Sequence, residues 1–270
     1  MDNRSIGVFD SGLGGLTVLK EIMNLVPGES IVYFGDNGRV PYGTKSKETV
    51  IKYTLQGMRF LLNQDIKMIV IACNTASALS LDMVKSSFHI PVIEVIEPGA
   101  ATGVKYTKNK RIGVIGTTAT INSGAYEKAI NRLDNSIKVF SKACPLFVPL
   151  AEEGPEWWEN DITLQIAAEY LSALKQKEID TLVLGCTHYP LLQKVIQRVV
   201  GNEVSLVSSA LEVARVVKSI IEKTCIERDG KIKPVYRYYT SDSVEKFEPL
   251  CSAILSMEIN SAERIDIEKY

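Results

Sequence analysis

A segment near residue 70 recurs near residue 183, and this internal repeat limits the folds open to the chain more than any other feature. Residues 65–76 contain IKMIVIACNT and residues 178–189 contain IDTLVLGCTH, at an offset of 113 residues. In each segment an apolar run ends in a cysteine, Cys73 in the first and Cys186 in the second. Self-similarity at such an offset predicts two related structural halves.

A second, shorter pair of segments supports the same repeat. Residues 6–12 read IGVFDSG and residues 112–118 read IGVIGTT, and in both a strand-like run enters a small, polar turn. In open α/β sheets, ligands bind at the carboxyl ends of the strands, where helices begin. We therefore expect two similar α/β domains related by a pseudo-twofold, with an active site in the cleft between them and one cysteine on each wall.

The order of apolar patterns along the chain favours an α/β fold with mainly parallel sheets. Short apolar and β-branched runs alternate with longer helical patterns, as βαβ units require. The predicted strands are residues 31–34, 68–72, 92–96, 111–115 and 181–184. Two predicted helices carry apolar stripes that should cover a sheet face. The stripes are Ile51, Leu55, Met58 and Leu62 in one helix, and Ile162, Ile166, Tyr170 and Leu174 in the other.

The composition excludes several classes of function. The chain has 270 residues, enough for one large or two modest domains. Its 31 basic and 32 acidic residues are interleaved, so no basic surface is expected to attract nucleic acid or an anionic membrane. The amino terminus lacks the apolar stretch of a signal peptide, and every apolar run is far shorter than the roughly 20 residues that cross a bilayer. We therefore expect a cytoplasmic protein.

The cysteines and histidines do not form a recognisable disulfide or metal pattern. The five cysteines are an odd number without a CxxC pair, and His89 and His188 are too far apart for an HExxH site. Three cysteines are interpreted as buried structural side chains. They are Cys144, Cys225 and Cys251. Cys73 and Cys186 differ from these three, because each ends a predicted strand at an equivalent place in the repeat and precedes small polar residues.

A glycine-rich turn, SGLGG at residues 11–15, follows the first strand-like run. Its spacing is neither GxGxxG nor a P-loop, so a nucleotide site is disfavoured and a tight strand-to-helix turn is the ordinary interpretation. Asp10 lies directly before the turn and could orient a catalytic group or an ammonium group. His188 lies two residues after Cys186, where it could lower the pKa of that thiol or hold its proton.

Two thiols on opposite walls of a cleft suit racemisation at a tetrahedral carbon. One thiolate removes a proton from one face of the carbon, and the other thiol returns a proton to the opposite face. With each sulfur at the near-attack distance of about 3–3.5 Å, the two sulfurs should lie roughly 7 Å apart, too far for a disulfide. Turn N–H groups and the hydroxyls of Ser11, Thr75 and Thr187 are suitable donors to the carboxylate on which charge accumulates.

Six ordered motifs resemble those of the bacterial glutamate racemases, in the aspartate/glutamate racemase family. The motifs are FDSGLGGLTV, GDNGRVPYG, ACNTAS, IGVIGTTATINSGAY, FVPLAEEG and LGCTHYPLL, and they extend over most of the chain. The resemblance implies a two-domain α/β fold and cofactor-independent racemisation of L- and D-glutamate. It also implies a role in supplying D-glutamate for peptidoglycan synthesis, and a homodimer.

The resemblance assigns roles to residues of the matching motifs. Cys73 and Cys186 match the family's two acid/base cysteines, and Asp10, Glu152 and His188 match its auxiliary tuning groups. The residues that match its substrate-binding positions are Asp10, Ser11, Tyr42, Gly43, Asn74, Thr75, Thr187 and His188. The resemblance implies no cofactor, and no metal is expected from the pattern of cysteines and histidines.

Domain limits follow partly from the residues and partly from the resemblance. A Pro-Gly pair at residues 98–99 follows the predicted strand 92–96 and is typical of a turn or a linker. We therefore predict a second domain of residues 98–206. The resemblance implies that the chain beyond about Val207 packs back on the first half, giving a discontinuous first domain of residues 1–97 plus 207–270.

Two places depart from the family pattern. Ser208 stands where the family often has aspartate, and Asn37-Gly38 stands where Thr-Ala is common. Neither place carries the expected chemistry, but both could affect local structure or closure of the cleft.

The sequence leaves two alternative functions open. A racemase with the same thiol mechanism could act on aspartate or another amino acid, because loops set the length of the pocket. A non-catalytic amino-acid-binding protein could use the same scaffold, although such a protein would be expected to lose one thiol. A pyridoxal-dependent racemase would need a Schiff-base lysine, and no lysine lies in a recognisable site.

Overall fold

The structure, a computed structural model, describes residues 1–270 and contains two parallel β-sheets. The first sheet consists of β1 (Ser5–Asp10), β2 (Ile31–Gly35), β3 (Ile66–Ile71), β4 (Val92–Glu94), β9 (Tyr236–Thr240) and β10 (Ala262–Arg264). The second sheet consists of β5 (Arg111–Gly116), β6 (Lys138–Ala143), β7 (Thr181–Gly185) and β8 (Ser205–Ser208). All neighbouring strands are parallel.

The strand order repeats between the two sheets. The first sheet contains the order β2-β1-β3-β4, and the second has the order β6-β5-β7-β8, so each strand of one set has a counterpart at the same place in the other. The aligned segments of the sequence lie on β1 and β5 and on β3 and β7, which are the two central strands of each shared set of four. The prediction of two similar, mainly parallel α/β domains is confirmed.

Twelve helices connect and cover the strands. They are α1 (Leu16–Leu25), α2 (Lys47–Leu62), α3 (Asn74–Ser87), α4 (Ile96–Tyr106), α5 (Thr118–Ser123), α6 (Ala125–Leu133), α7 (Phe147–Glu152), α8 (Pro155–Trp158), α9 (Asp161–Lys175), α10 (Gln193–Val200), α11 (Ala210–Thr224) and α12 (Val244–Leu255). Short 3₁₀ turns occur at Asn37–Arg39, Tyr42–Thr44, Tyr189–Leu192 and Ile267–Lys269. None of the helices has the length and apolar character that a membrane span requires.

Both predicted helix stripes are displaced from the faces that the helices bury. In α2 the buried residues include Val50, Thr54, Gly57, Met58 and Leu61, and in α9 they are Thr163, Ala167, Leu171 and Leu174. Met58 and Leu174 belong to the predicted stripes and are buried as expected. Most of the residues in the predicted stripes lie beside these faces, and Ile162 is 53% exposed. The physical reason is close approach, because small side chains let a helix backbone lie near its neighbours while larger side chains fill the flanks. A Cβ on Gly57 would stand only 2.5 Å from the ring of Phe9.

The predicted strand 92–96 is present as β4 but was placed two residues too long, and the predicted turn after it is wrong. Strand β4 ends at Glu94, and α4 begins at Ile96, so the Pro-Gly pair lies inside a helix. Proline is tolerated there because Pro98 lies in the first helical turn, where a backbone N–H has no partner within the helix. The Glu94 carboxylate accepts hydrogen bonds from the N–H groups of Ile96 and Glu97 and so caps the helix.

The predicted domain limits fall within regular elements. The limit between residues 97 and 98 lies in α4, and the limit between residues 206 and 207 lies in β8, whose last residue is Ser208. After α11 the chain pairs β9 with β2, in register from Ile31 opposite Tyr236, and adds β10 outside β9. The division into residues 1–97 plus 207–270 and residues 98–206 stays a prediction.

The central strands of the first sheet are buried on both faces. Ile6 and Val8 of β1 point into one apolar cluster with α1, and Phe9 points into another cluster with α2. All six residues of β1 and all six of β3 are buried. Burial on both faces explains why these strands read as continuous apolar runs and not as alternating patterns. It also leaves only the strand ends free to present polar side chains.

Candidate active site

A cavity of about 290 Å³ lies at the carboxyl ends of the central strands of both sheets. Nine of the predicted site residues line it: Ser11, Tyr42, Gly43, Cys73, Asn74, Thr75, Cys186, Thr187 and His188. The other lining residues are Val40, Pro41, Thr117 and Val148. Asp10 and Glu152, the remaining predicted residues, do not line the cavity but contact residues that do. The structure therefore brings all of the predicted residues together.

Cys73 occupies the junction between β3 and α3. It is the N-cap residue of α3, and its Sγ accepts a hydrogen bond from the N–H of Ala76 at 3.4 Å. The thiol also donates to Ser11 Oγ at 3.3 Å. Burial and the nearby Asp10 charge raise the pKa of Cys73 to about 12, although the hydrogen bonds to Ser11 and Ala76 oppose the shift. The Cys73 side chain therefore rests as a thiol.

Cys186 lies beside a histidine and a glutamate. It follows β7, and its Sγ lies 3.8 Å from Nδ1 of His188. On the other side of the ring, His188 Nε2 lies 2.9 Å from Oε1 of Glu152, the last residue of α7. Burial lowers the pKa of His188, but the hydrogen bonds with Cys186 and Glu152 outweigh burial and raise it well above its usual range. A protonated His188 can stabilise a thiolate on Cys186.

Asp10 ends β1 directly below the cavity and is completely buried. Its Oδ2 accepts from the N–H of Gly12 at 2.9 Å, and its Oδ1 accepts from Thr187 Oγ1 at 3.2 Å. Burial raises the pKa of Asp10, while His188 and these donors oppose the shift. The carboxylate thereby joins the glycine-rich turn of the first half to the Cys186–His188 turn of the second half.

The loop after β2 brings Tyr42 and Gly43 to the cavity. The Tyr42 hydroxyl donates to Oδ2 of Asp36, which is itself completely buried and is paired with Arg39 at 2.8 Å. Gly43 lies against the second half, because a Cβ at this position would stand 2.4 Å from the Cβ of Thr117. Tyr42 therefore anchors the loop to the first half, and Gly43 packs the loop against the second half.

Three threonines form a buried hydroxyl cluster across the two halves. Thr75 Oγ1 lies 2.9 Å from Thr117 Oγ1 and 3.2 Å from Thr120 Oγ1, and the latter two are 2.9 Å apart. Thr117 also caps α5 by accepting from the N–H of Thr120. Hydroxyl groups of this kind can donate to a carboxylate.

Four lining residues were missed among the predicted site residues: Val40, Pro41, Thr117 and Val148. Val40 and Pro41 lie within the motif GDNGRVPYG, which supplied Tyr42 and Gly43. A signal for Thr117 was present, since the alignment of residues 6–12 with residues 112–118 places it at the position of Ser11. No comparable signal marked Val148, which reaches the cavity from α7.

The remaining cysteines lie away from the cavity lining. All five cysteines are free thiols. Cys144 and Cys251 are buried, as expected for structural side chains, but the interpretation of Cys225 as buried is wrong. Cys225 is exposed because it ends α11 in a left-handed conformation with φ of 52°, where the helix stops at the surface. No group of three or more histidine, cysteine or acidic side chains is arranged to hold a metal ion.

Comparisons with known proteins agree with this geometry. The family model for Asp/Glu/Hydantoin racemase matches residues 6–217. A glutamate racemase of Geobacter metallireducens is 48% identical over 265 residues, which are 98% of this chain and 97% of the relative.

Two solved structures are similar over nearly their whole length. A glutamate racemase isoform of Bacillus anthracis superposes with a TM-score of 0.94 at 42% identity, covering 98% of each chain. The glutamate racemase of Francisella tularensis, solved in complex with D-glutamate, superposes with a TM-score of 0.93 at 40% identity, covering 100% of each chain. The chain therefore belongs to the Asp/Glu/Hydantoin racemase family, and it is an amino-acid racemase.

Proposed function

We propose that the protein interconverts L- and D-glutamate without a cofactor, with Cys73 and Cys186 as the two acid/base groups. The observation that carries this proposal is the placement of the two thiols. They come from equivalent strand ends of the two halves, and both line one cavity. Two opposed groups of the same kind are what inversion at a single carbon needs, because a proton leaves one face and another arrives on the opposite face.

The reaction is a pair of proton transfers. A thiolate on one side takes the proton from Cα of the bound amino acid, and the electron pair stays on the carbon and spreads into the α-carboxylate. The thiol on the other side then gives its proton to the opposite face of Cα. After one turnover the two cysteines have exchanged protonation states. The enzyme is then in the form that converts the other enantiomer.

The environments of the two cysteines differ. Cys73 is held as a thiol by burial and by the Asp10 charge, which together raise its pKa to about 12. Cys186 contacts His188, whose pKa is raised well above its usual range by hydrogen bonds that outweigh burial. We expect Cys73 to rest as a thiol, and we expect a protonated His188 to lie beside Cys186.

Asp10, Glu152 and His188 would tune the two thiols without touching the substrate carbon. Glu152 holds the His188 ring through Nε2, so Nδ1 faces Cys186. Asp10 acts on Cys73 through its charge and on Thr187 through a hydrogen bond. Asp10 therefore acts on both sides of the cavity, whereas the Glu152–His188 pair contacts Cys186.

The polar lining is suited to an amino acid with a second carboxylate. Ser11, Asn74, Thr75 and Thr187 present donors next to the two thiols, and Tyr42, Gly43 and Thr117 lie on the surrounding wall. The choice of glutamate is supported by the Francisella tularensis relative, which was solved with D-glutamate and matches the chain over its full length. Val148 adds an apolar surface that could pack on the methylene groups of the substrate.

The proposal extends to the cellular role. As a racemase of this type, the protein would be a cytoplasmic homodimer that supplies D-glutamate for peptidoglycan synthesis. Growth of a D-glutamate-requiring bacterial strain on medium without D-glutamate, after expression of this chain, tests the supply role directly. Sedimentation of the purified protein tests the dimer.

The decisive experiment incubates purified, dialysed protein with either glutamate enantiomer in D₂O. Optical rotation and deuterium at Cα are followed together. Loss of rotation from both enantiomers, with deuterium at Cα of the product, is the expected result. Conversion of aspartate in place of glutamate would favour the alternative substrate, and binding of either amino acid without exchange would favour a non-catalytic role.

Single cysteine variants test the two-thiol mechanism. Cys73→Ala and Cys186→Ala should each lower kcat by at least about 100- to 10,000-fold, the typical contribution of a general acid or base. Cys225→Ala is the matched control, because Cys225 is an exposed cysteine outside the cavity lining. Near-normal racemisation by either of the first two variants would show that one thiol is dispensable and would rule out the mechanism.

A further inference from the structure

Tyr126 is a buried tyrosine next to the cavity that no sequence motif assigned to the site. It is the second residue of α6, in the half that carries Cys186, and only 3% of it is exposed. Its hydroxyl donates to Oδ1 of Asn74 at 2.6 Å, across the boundary between the two sheets. Asn74 lines the cavity, whereas Tyr126 does not. Tyr126 therefore contacts the site residue Asn74 from outside the cavity lining.

This hydrogen bond fixes the orientation of the Asn74 amide. Burial raises the pKa of Tyr126 well above its usual range, so the hydroxyl keeps its proton and remains a donor. A buried donor requires an acceptor, and the acceptor that Tyr126 has is Oδ1 of Asn74. The amide nitrogen, Nδ2, is then turned away from Tyr126 and is buried without a partner in the protein.

An unpartnered amide nitrogen in the wall of a cavity is suited to a ligand. Leaving such a group unpaired costs free energy, so a ligand that accepts its hydrogen bond gains more than one that binds at an exposed site. Asn74 directly follows Cys73, so a group bound to Nδ2 lies close to that thiol. The α-carboxylate of an amino acid is an acceptor of this kind.

The ring of Tyr126 is fixed by contacts with two glycines. A Cβ on Gly185 would stand 2.9 Å from Cε2 of the ring, and a Cβ on Gly99 would stand 3.1 Å from the hydroxyl oxygen. Gly185 directly precedes Cys186. One side chain therefore touches the chain neighbours of both cysteines, Asn74 on one side and Gly185 on the other.

We propose that Tyr126 is a positioning residue of the racemase. It holds the Asn74 amide with Nδ2 presented to the α-carboxylate of the bound amino acid, next to the Cys73 thiol. This inference rests on the proposed glutamate racemisation, because it needs a carboxylate-bearing substrate between the two thiols. Tyr126 itself touches neither the substrate nor the reacting atoms and acts through Asn74.

A double-mutant cycle tests the inference. The kinetic constants kcat and KM are measured for D- and L-glutamate with the wild-type protein, Tyr126→Phe, Asn74→Ala and the double variant. Tyr126→Phe should lower kcat/KM about three- to tenfold in both directions, as expected for loss of one oriented hydrogen bond. In the Asn74→Ala background the same change should alter kcat/KM by less than about twofold, because the group that Tyr126 orients is gone.

Two further variants separate positioning from packing. Tyr106→Phe is the matched control, because Tyr106 is 53% exposed and is the last residue of α4. This variant should have the kinetic constants of the wild-type protein. Asn74→Asp still offers Tyr126 an acceptor but replaces the amide donor with a carboxylate. It should lose at least as much kcat/KM as Asn74→Ala.

The outcomes distinguish this inference from the proposed function. Equal losses from Tyr126→Phe in the wild-type and Asn74→Ala backgrounds would mean that the hydroxyl acts only through packing, and would overturn the inference. So would wild-type kinetics of Tyr126→Phe or of Asn74→Asp. Absence of glutamate racemisation by the wild-type protein would instead overturn the proposed function, and the inference about its substrate would fall with it.

Discussion

Asp10 and Thr187 are separated by 177 positions in the chain, yet Thr187 Oγ1 donates a hydrogen bond to Oδ1 of Asp10 at 3.2 Å. The bond is buried and joins the end of β1 to the turn that follows β7. The same carboxylate accepts from the N–H of Gly12 and places a negative charge near Cys73. Asp10 therefore both holds the turn that contains Thr187 and favours the protonated form of Cys73.

Asp10→Asn should lower the pKa of Cys73. The Asp10 charge is, after burial, the second cause that holds this pKa at about 12, and asparagine removes the charge while keeping a similar shape. Ultraviolet titration of thiolate absorbance, with Cys73→Ser as the reference for the other cysteines, measures the shift. Asp242→Asn, at an exposed aspartate, is the control and should leave the titration unchanged. An unaltered Cys73 titration in Asp10→Asn would contradict the expected electrostatic effect.

Ser11→Ala should shift the same thiol in the opposite direction. The hydrogen bond between Ser11 and Cys73 lowers the pKa of Cys73, because the hydroxyl can donate to the thiolate. Without it, the thiolate is less stable and the rate of alkylation of Cys73 by iodoacetamide at a fixed alkaline pH should fall. Peptide mass spectrometry follows the rate at this one position. Faster alkylation of Cys73 in Ser11→Ala would show that the hydroxyl shields the thiol more than it stabilises the thiolate.

Glu152→Gln should reduce stability in a pH-dependent manner. The hydrogen bond with Glu152 helps to raise the pKa of His188 above its usual range, although burial opposes this shift. A group whose pKa is raised on folding stabilises the native state fully below its unfolded pKa, about 6.5 for histidine, and loses this effect as the pH rises through the folded value. Urea unfolding at a series of pH values should therefore show the largest deficit, about 2 kcal/mol for a charged hydrogen bond, near pH 6.

The same deficit should shrink at alkaline pH, where His188 is neutral in both the folded and the unfolded protein. Glu159→Gln, at a largely exposed glutamate paired with Lys194, provides the control and should show no such dependence. A deficit of constant size from neutral to alkaline pH would mean that Glu152 stabilises the protein through contacts other than protonated His188.

Gly43→Ala should disturb the closed cavity wall. A Cβ at Gly43 would stand 2.4 Å from the Cβ of Thr117, so either the loop or the start of α5 must move. Overpacking of this kind costs about 1–3 kcal/mol, and movement of the wall should raise KM for glutamate. Gly28→Ala is the matched control, since nothing lies within 4 Å of its added Cβ. Equal unfolding free energies and KM values for the two variants would contradict the tight contact.

The positions of the two thiols could be predicted from the sequence because the repeat makes them equivalent. An apolar run followed by a cysteine and small polar residues occurs at both Cys73 and Cys186, and parallel strands bring such ends to one edge of a sheet. The inclusion of Glu152 depended on the resemblance to a known family. Its contact with His188 joins α7 to a turn 36 residues later, and local patterns do not encode such a pairing.

Features set by close packing were harder to predict. The stripes of α2 and α9 were placed beside the faces that the helices bury, because large apolar residues were given more weight than small residues such as Gly57 and Ala167. The Pro-Gly pair at residues 98–99 was interpreted as a turn or a linker, because proline and glycine are typical of both. Its location within α4 depends on capping by Glu94 and on close packing of Gly99 against Tyr126 and Ser209.

The pairing of β9 with β2 has a consequence for synthesis of the chain on the ribosome. The second sheet uses only residues between Arg111 and Ser208, whereas the first sheet gains β9 and β10 from beyond residue 235. The outer edge of β2, an entirely buried strand in the finished protein, therefore stays open while the whole second half emerges. An open edge on an apolar strand can pair with other chains. Premature termination before Tyr236 should thus yield an aggregating product, even though the chain already contains Cys73, Cys186 and every other residue of the cavity lining.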